Sequence, residues 1–362
     1  MRVKRLRVER LRIIESVEIE PGPAINLLVG PNGSGKTSVL ESLHVLAYGK
    51  SFRSPSREVL IRRGASDFSI FAEVQSAADT VRHRLGLACS TRSWQARVDG
   101  DSVATLGELL RFCPVVCFEP GSHALIAGPS EQRRRFLDWG LFHVEPTFTD
   151  VWRRFQRALK QRNALLKSGQ GRKALDAWDA EIADSGEQLH MLRQKYSASL
   201  VPYFRAAAAK LMPEAGAPEF TYLAGWRSDR ESLGQVLAQS RDRDMATGHT
   251  RVGPHRCNWE LTYPELPQRD SFSRGQEKLT ALICVVAQAD HFAGTCGHWP
   301  IIALDDLGSE LDQAHQRHAI TAVAECGAQV WITGTSAPTG LAEHPDAVTT
   351  FHVEQGCIRR AV

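Results

Sequence analysis

Apolar and polar residues alternate from Val3 to Ile19. A second apolar run, Ile25-Asn26-Leu27-Leu28-Val29, stops at Gly30 and passes into helix formers from Ser38 to Ala47. Alternation predicts strand and helical spacing predicts helix, so this region reads strand, glycine loop, helix. Short β-branched runs follow at Phe68–Val74, Val81–Leu87 and Trp94–Val98, with Asp99-Gly100 as a hairpin turn and Val115-Val116 as further strand. The pattern changes near Gly128-Pro129-Ser130. Ser130 is expected to cap a helix through Phe142, and Pro146-Thr147 to open another that runs to Ser168. Phe148, Val151, Trp152, Phe155, Leu159 and Leu166 share one face of that second helix. More helix is expected from Lys173 to Leu211, with Pro202 as the residue that could interrupt it, and strand character returns near Phe220. From about 250 the order is strand (Cys257–Tyr263), helix (Arg274–Phe292), strand (Pro300–Leu304), helix (Ser309–Cys326), strand (Val330–Thr333). That alternation is an α/β half-domain, and the middle third is a helical insertion.

Composition narrows the class. The 362 residues are 43% hydrophobic and 23% charged, enough for two domains with their own cores. With 44 Lys/Arg against 41 Asp/Glu, any nucleic-acid surface has to be a local patch. The eight cysteines form no CxxC pair and share no spacing with histidines, so they are expected as reduced core thiols and not as a zinc site. The basic start, Met1-Arg2-Val3-Lys4-Arg5-Leu6, is followed by no apolar segment of the signal-peptide kind, and no run approaches the length of a membrane span. The expectation is a soluble cytoplasmic protein with no membrane partner. Only Ser168-Gly169-Gln170-Gly171 reads as loose.

Gly30-Pro31-Asn32-Gly33-Ser34-Gly35-Lys36-Thr37 fits G-x-x-x-x-G-K-[ST]. The glycines let successive backbone N–H groups turn inward on phosphates, with Asn32, Ser34 and Ser38 lining the same loop. Lys36 is placed to reach the β/γ-phosphates and the Thr37 hydroxyl to bind Mg²⁺. A chance match occurs in roughly one chain in a hundred of this length, and the position between a strand and a helix lowers that further. Ile301-Ile302-Ala303-Leu304-Asp305-Asp306 is an apolar strand ending in two acids. Alone it says little, since many strands end in Asp. Beside a phosphate loop it places Asp305 as a metal ligand with Thr37, and Asp306 as the group that orients or deprotonates an attacking water.

Ser273-Arg274-Gly275-Gln276 precedes a long apolar helix. By itself it is a capped helix start. It lies just upstream of the acidic strand, however, and a helix N-terminus with a Ser hydroxyl and a Gly N–H suits a γ-phosphate. Ser309-Glu310-Leu311-Asp312 follows the acidic strand directly.

These elements, in this order and split by a helical insertion, resemble ABC/SMC ATPase heads. The closer likeness is to the RecF family. Arg12, Gly49-Lys50-Ser51-Phe52-Arg53, Arg134-Arg135-Phe136-Leu137-Asp138-Trp139, Leu159-Lys160-Gln161-Arg162-Asn163 and Val252-Gly253-Pro254-His255-Arg256 all carry it. The resemblance implies an α/β ABC/SMC-like P-loop ATPase lobe (1–127 and 247–362) with an inserted helical lobe (128–246) and no long coiled coil. It implies ATP and Mg²⁺ as cofactors, Arg12 at the nucleotide, and a homodimer in which Ser273 to Gln276 meet ATP held by the other subunit. It further implies DNA as ligand, RecO and RecR as partners, and help to RecA in loading at gaps. Ile13 departs from the family, which usually has Asn there, and Cys257-Asn258 replace a more acidic pair.

Two other classes fit less well. An ABC transporter subunit would carry a Gln where Phe118-Glu119-Pro120 stands and a His near Thr333-Gly334-Thr335. It would also have Glu in place of Asp306, and the shorter acid predicts slow hydrolysis. A P-loop small-molecule kinase would not need Ser273 to Gln276. Between Val151 and Lys173 there are eight Lys/Arg (Arg153, Arg154, Arg157, Lys160, Arg162, Lys167, Arg172 and Lys173) and no acid, and Arg133 to Arg135 lie just before. Phosphate neutralisation is one use of such an excess. A solvated helix face, paired in part with Asp176, Asp179, Glu181 or Asp184, is the other. Arg53, Arg154, Arg157, Lys160 and Arg162 are the DNA-contact candidates. His255 is expected as a loop residue near the nucleotide or the dimer surface.

Overall fold

A computed structural model describes residues 1–54, 56–76, 81–169, 172–266 and 269–361. Gln170 and Gly171 of the expected loose stretch, and the side chain of Arg172, lie outside the described residues. The chain divides into two compact units, one of Met1–His123, Ala206–Gly216 and Phe272–Val362, the other of Ala124–Arg205 and Ala217–Ser271.

Among its described residues the first unit holds two six-stranded sheets. One runs in the order Ile14–Ile19, Arg2–Leu11, Asp67–Gln75, Arg82–Ser90, Trp94–Val98, Asp101–Ser102, with every neighbouring pair antiparallel. Its strands bury alternate residues, as in Asp67–Gln75, where Phe68, Ile70, Ala72 and Val74 face inward. Asp99 and Gly100 both take positive φ, 54° and 99°, as the two central residues of the predicted tight turn. The other sheet runs Cys357–Arg360, Val348–Glu354, Ile25–Val29, Val330–Gly334, Ile301–Leu304, Val115–Phe118. It is parallel except for the final hairpin. Its inner strands are buried on both faces, which explains the unbroken apolar runs in the sequence.

The helix Lys36–Tyr48 shares one core with both sheets. Leu40, Leu43 and Leu46 pack with Leu6, Phe68 and Ile70 of the antiparallel sheet and with Trp331 and Val353 of the parallel one. It is buried nearly all round for that reason, so little amphipathic pattern marks it. The helix Arg274–Cys296 averages a hydropathy of 1.3 over its most apolar window, and 72% of that window is buried, so its apolar length is covered by the fold. The expected helix Ser309–Cys326 is two pieces, Leu307–Glu310 and Gln313–Ala324. Leu311 closes the first, and Asp312 caps the second, its carboxylate accepting from His315 N at 3.0 Å. Of the cysteines expected in cores, Cys357 is exposed.

The second unit packs helices Ser130–Val144, Phe148–Ser168, most of Arg172–Leu211, and Leu233–Thr247 with a two-stranded sheet, Glu219–Leu223 against Asn258–Thr262. Pro129, not Ser130, takes the N-cap of the first helix, and no side-chain cap forms there. Pro202 does not interrupt the long helix. Leu200 and Phe204 beside it are buried, and that packing outweighs the one backbone hydrogen bond that proline forfeits. Phe136, Phe204, Phe220 and Trp259 form the aromatic centre, with Phe220 stacked 5.3 Å from Trp259 and 5.2 Å from Phe204.

Candidate nucleotide site

At the carboxyl edge of the parallel sheet, the Ile25–Val29 strand turns through Gly30 to Gly35 into the Lys36–Tyr48 helix. Gly33 and Gly35 have φ of 77° and 113°, a region that side chains enter only with strain. Gly30 is needed for another reason: a Cβ there would lie 2.0 Å from the carbonyl oxygen of Val353. The Lys36 ammonium donates to the carbonyls of Gly30 and Pro31 at 2.7 and 2.9 Å. Burial pulls its pKa below the ordinary Lys value, and the Asp306 and Asp305 carboxylates oppose that shift.

The acidic strand arrives two strands away. The Thr37 hydroxyl donates to Asp305 Oδ1 at 2.9 Å, and Thr333 Oγ1, from the strand between, donates to the same oxygen at 2.6 Å. Asp305 is 3% exposed. Burial raises its pKa, and the two threonine hydroxyls, by stabilising the carboxylate, hold the rise in check. Asp306 follows in the left-handed region, φ 53° and ψ 40°, with its N–H on Thr333 Oγ1 at 2.9 Å. Such a backbone is costly for a non-glycine residue and marks a position fixed by its surroundings.

These groups surround a cleft of about 560 Å³ lined by Arg12, Ile13, Asn32, Gly33, Ser34, Gly35, Lys36, Thr37, Ser38, Phe52, Arg53, Glu119, Pro120, Asp305, Asp306 and Thr333. The structure therefore gathers Arg12, the phosphate-loop residues and both acids in one place, and brings Arg53 there too. Two residues that the sequence singled out only as departures from a transporter, Glu119 and Thr333, also face the cleft. Burial raises the Glu119 pKa, while the Gly121 N–H, which the carboxylate accepts at 2.5 Å, pulls it back.

Ser273 to Gln276 do not line this cleft. Ser273 caps the Arg274–Cys296 helix, its Oγ accepting from Gln276 N at 3.3 Å and Gln276 Oε1 accepting from Ser273 N at 2.8 Å. Ser273, Arg274 and Gly275 are exposed, so the helix presents its N-terminus to solvent. Lys278, one turn further in, pairs with Glu310 at 2.8 Å.

The basic stretch of the helical unit separates into two kinds of residue. Arg157 and Lys160 are exposed. Arg154 is half-buried and paired with Glu181 at 2.9 Å and Asp184 at 2.7 Å. Arg162 was a DNA candidate, but it is 0% exposed and donates to Asp179 at 2.5 Å, Asp244 at 2.7 Å and Thr250 at 2.9 Å. It cannot meet a phosphate in this structure. Arg133 is likewise buried, and its guanidinium holds the carbonyls of Leu125, Ile126 and Gly128. His255, also in this unit, meets Thr250 O at 3.0 Å and does not line the cleft. Burial lowers its pKa to about 4.

Sequence reasoning missed Glu41. It is an acid inside an apolar helix, fully buried, and accepts two hydrogen bonds from Arg12, from Nε at 2.9 Å and Nη2 at 2.7 Å. A charge at an otherwise apolar helical position was the available signal.

Residues 2–359 match the RecF/RecN/SMC N terminal domain. The chain is 50% identical over 363 residues to the DNA replication and repair protein RecF of Xanthomonas axonopodis pv. citri (strain 306), covering 99% of each chain. It is 47% identical over 361 residues to the protein of the same name from Stenotrophomonas maltophilia (strain R551-3), again covering 99% of each. Among solved structures, the recombination mediator protein RecF-ATP in the RecFOR pathway superposes with a TM-score of 0.87 at 24% identity, over 99% of this chain and 97% of that one. An SMC head bound to the C-winged helix domain of ScpA superposes at 0.62 with 13% identity, over 100% and 97%. At these identities the two structures speak for the fold.

Proposed function

We propose, from the premise that the chain belongs to the RecF family of RecF/RecN/SMC N-terminal-domain proteins, that it is an ATP-binding DNA replication and repair protein whose ATP site is the Gly30–Asp306 cleft. The observation that carries the site is the joining of two distant sequence signals: Thr37 and Asp305 meet at 2.9 Å beside the Lys36 ammonium. The inward amides of the loop and Lys36 suit phosphates. Thr37 and Asp305 are hard oxygen donors and suit Mg²⁺ shared with phosphate oxygens. Among the described residues no group of three or more His, Cys, Asp and Glu could hold a metal without such help. When bound, the ion neutralises charge on the phosphates.

In this reading Lys36 stabilises negative charge on the transferred phosphoryl group, and Asp306 holds and deprotonates the attacking water. Turnover is slow. Ser273 to Gln276 stand on an exposed helix N-terminus outside the cleft, which supports their use on the ATP of a second copy. ATP then closes a head-to-head dimer, the closed dimer binds double-stranded DNA or junctions at gaps, and hydrolysis releases it. RecO and RecR act with it in the cytoplasm, with RecA loaded downstream.

The test is binding of a labelled duplex with and without ATP to the wild type, Lys36→Met and Ser273→Ala. ATP should strengthen wild-type binding, and both variants should lose that gain. A wild type indifferent to ATP would remove the dimer-switch half of the reading.

A further inference from the structure

Glu41 does more in the fold than neutralise a charge. It is 0% exposed, and two chains of hydrogen bonds lead from its carboxylate to the cleft. One goes through Arg12, held edge-on by both carboxylate oxygens, with Nη1 also donating to Val59 O at 2.8 Å. Three of the five guanidinium N–H groups are thereby committed. Two remain on a residue that lines the cleft. The other chain goes through Ser51, whose hydroxyl donates to Glu41 Oε1. Ser51 Oγ in turn accepts from the backbone N–H of Arg53 at 2.9 Å and of Ser54 at 3.1 Å. Arg53 and its neighbour Phe52 line the cleft as well.

Arg12 also has a backbone that needs holding. Its φ is 55°, in the left-handed region, and its N–H is fixed on Leu60 O at 2.7 Å. A flexible arginine at such a site could fold into many rotamers. Two-point pairing with an immobile carboxylate leaves one. Glu41 can be that anchor because the Lys36–Tyr48 helix is itself locked in the core of the unit.

We infer that Glu41 is a positioning residue for nucleotide binding: it aims the free guanidinium edge of Arg12 into the cleft and, through Ser51, sets the Phe52-Arg53 side of the same cleft. The inference rests on the cleft being an ATP site. Loss of the carboxylate charge therefore weakens ATP binding through Arg12, apart from any effect on folding.

The experiment measures affinity for a fluorescent ATP analogue, and melting temperature without nucleotide, on the full chain. The variants are Glu41→Gln, Arg12→Ala, the two combined, Leu46→Ala and Lys36→Met. Glu41→Gln keeps the shape and an acceptor for Ser51. It and Arg12→Ala should each weaken affinity about tenfold, and the double variant should be no weaker than either alone. Leu46→Ala, which opens a cavity in the same helix, should lower the melting temperature and leave affinity within about twofold. If Glu41→Gln loses melting temperature but not affinity, Glu41 is a packing residue and the inference is overturned. Additive losses overturn it too, because Glu41 would then not act through Arg12. If Lys36→Met leaves affinity unchanged, the ATP reading itself falls, whatever Glu41 does.

Discussion

Two arginine–carboxylate constellations, one in each unit, use the same pairing to opposite ends. Arg12 on Glu41 is satisfied along one edge and lines an open cleft with the other. Arg162 has donors on Asp179, Asp244 and Thr250, and no part of its side chain reaches solvent. Asn163, its neighbour in sequence, fixes Thr250 by accepting from both N–H and Oγ1 at 2.8 Å. Both arginines belong to stretches that carry the family likeness, so their motifs offer no ground for separating them. Exposure does. A charged residue in a distinctive motif can bind a ligand or tie helices together, and only its solvent-facing edge tells which.

The largest effect should come from cutting the enclosed arginine. Arg162→Ala leaves Asp244 buried without its cation and leaves Asp179 to Arg241 alone, at a cost of about 3–5 kcal/mol. Chemical denaturation should read that loss directly. A variant of near wild-type stability with weakened DNA binding would reverse the assignment and put Arg162 back at the interface.

Acid should act next, on histidines buried in both units. Burial lowers the pKa of His44 and of His255 to about 4. The unfolded chain then binds protons that the folded chain refuses, so stability is full above about pH 6.5 and falls as pH drops from there toward 4. At pH 5 each contributes a loss of roughly 2 kcal/mol. Melting curves from pH 7.5 to 5 should show the decline, and His44→Gln should flatten it. An unchanged slope in that variant would mean that His44 is not buried neutral.

The smallest effects should separate the basic residues on the surface. Arg157 and Lys160, exposed, should each cost several-fold in duplex affinity when changed to Ala, and each change should lower the salt slope by about one as a phosphate goes unneutralised. Arg154, already paired with Glu181 and Asp184, should matter less in binding and less than about 1 kcal/mol in stability. Equal effects for all three would show that the acids do not hold Arg154 back.

The phosphate loop and the acidic strand were legible because each is a short local pattern, and their meeting follows from parallel strand order. The antiparallel strands showed in their alternation. The final hairpin, Val348–Glu354 and Cys357–Arg360, was missed, because its turn is only Gln355-Gly356 and its exposed strand carries Arg359 and Arg360. The helix Leu233–Thr247 was not singled out, although Ser232 and Gln235 form a capping box at its start. Arg162 misled because charge spacing does not say which face of a helix another element covers. Glu41 and Thr333 depend on partners far along the chain, Ser51 excepted, and spacing along the chain does not display such pairs.

Gly30 gives way to the carbonyl of Val353, and Gly356 N–H donates to Ser34 O at 2.7 Å. The strand that enters the phosphate loop is flanked on both sides by strands made more than three-quarters of the way along the chain. During synthesis the loop thus emerges early and waits for roughly 300 further residues before its walls exist. Until then its helix can lie on the antiparallel sheet, complete by residue 102, but the apolar side that meets the parallel sheet stays uncovered. A newborn chain would depend on chaperones through that interval, and a nucleotide could help the chain fold only at the last step, once the final hairpin has closed behind the loop.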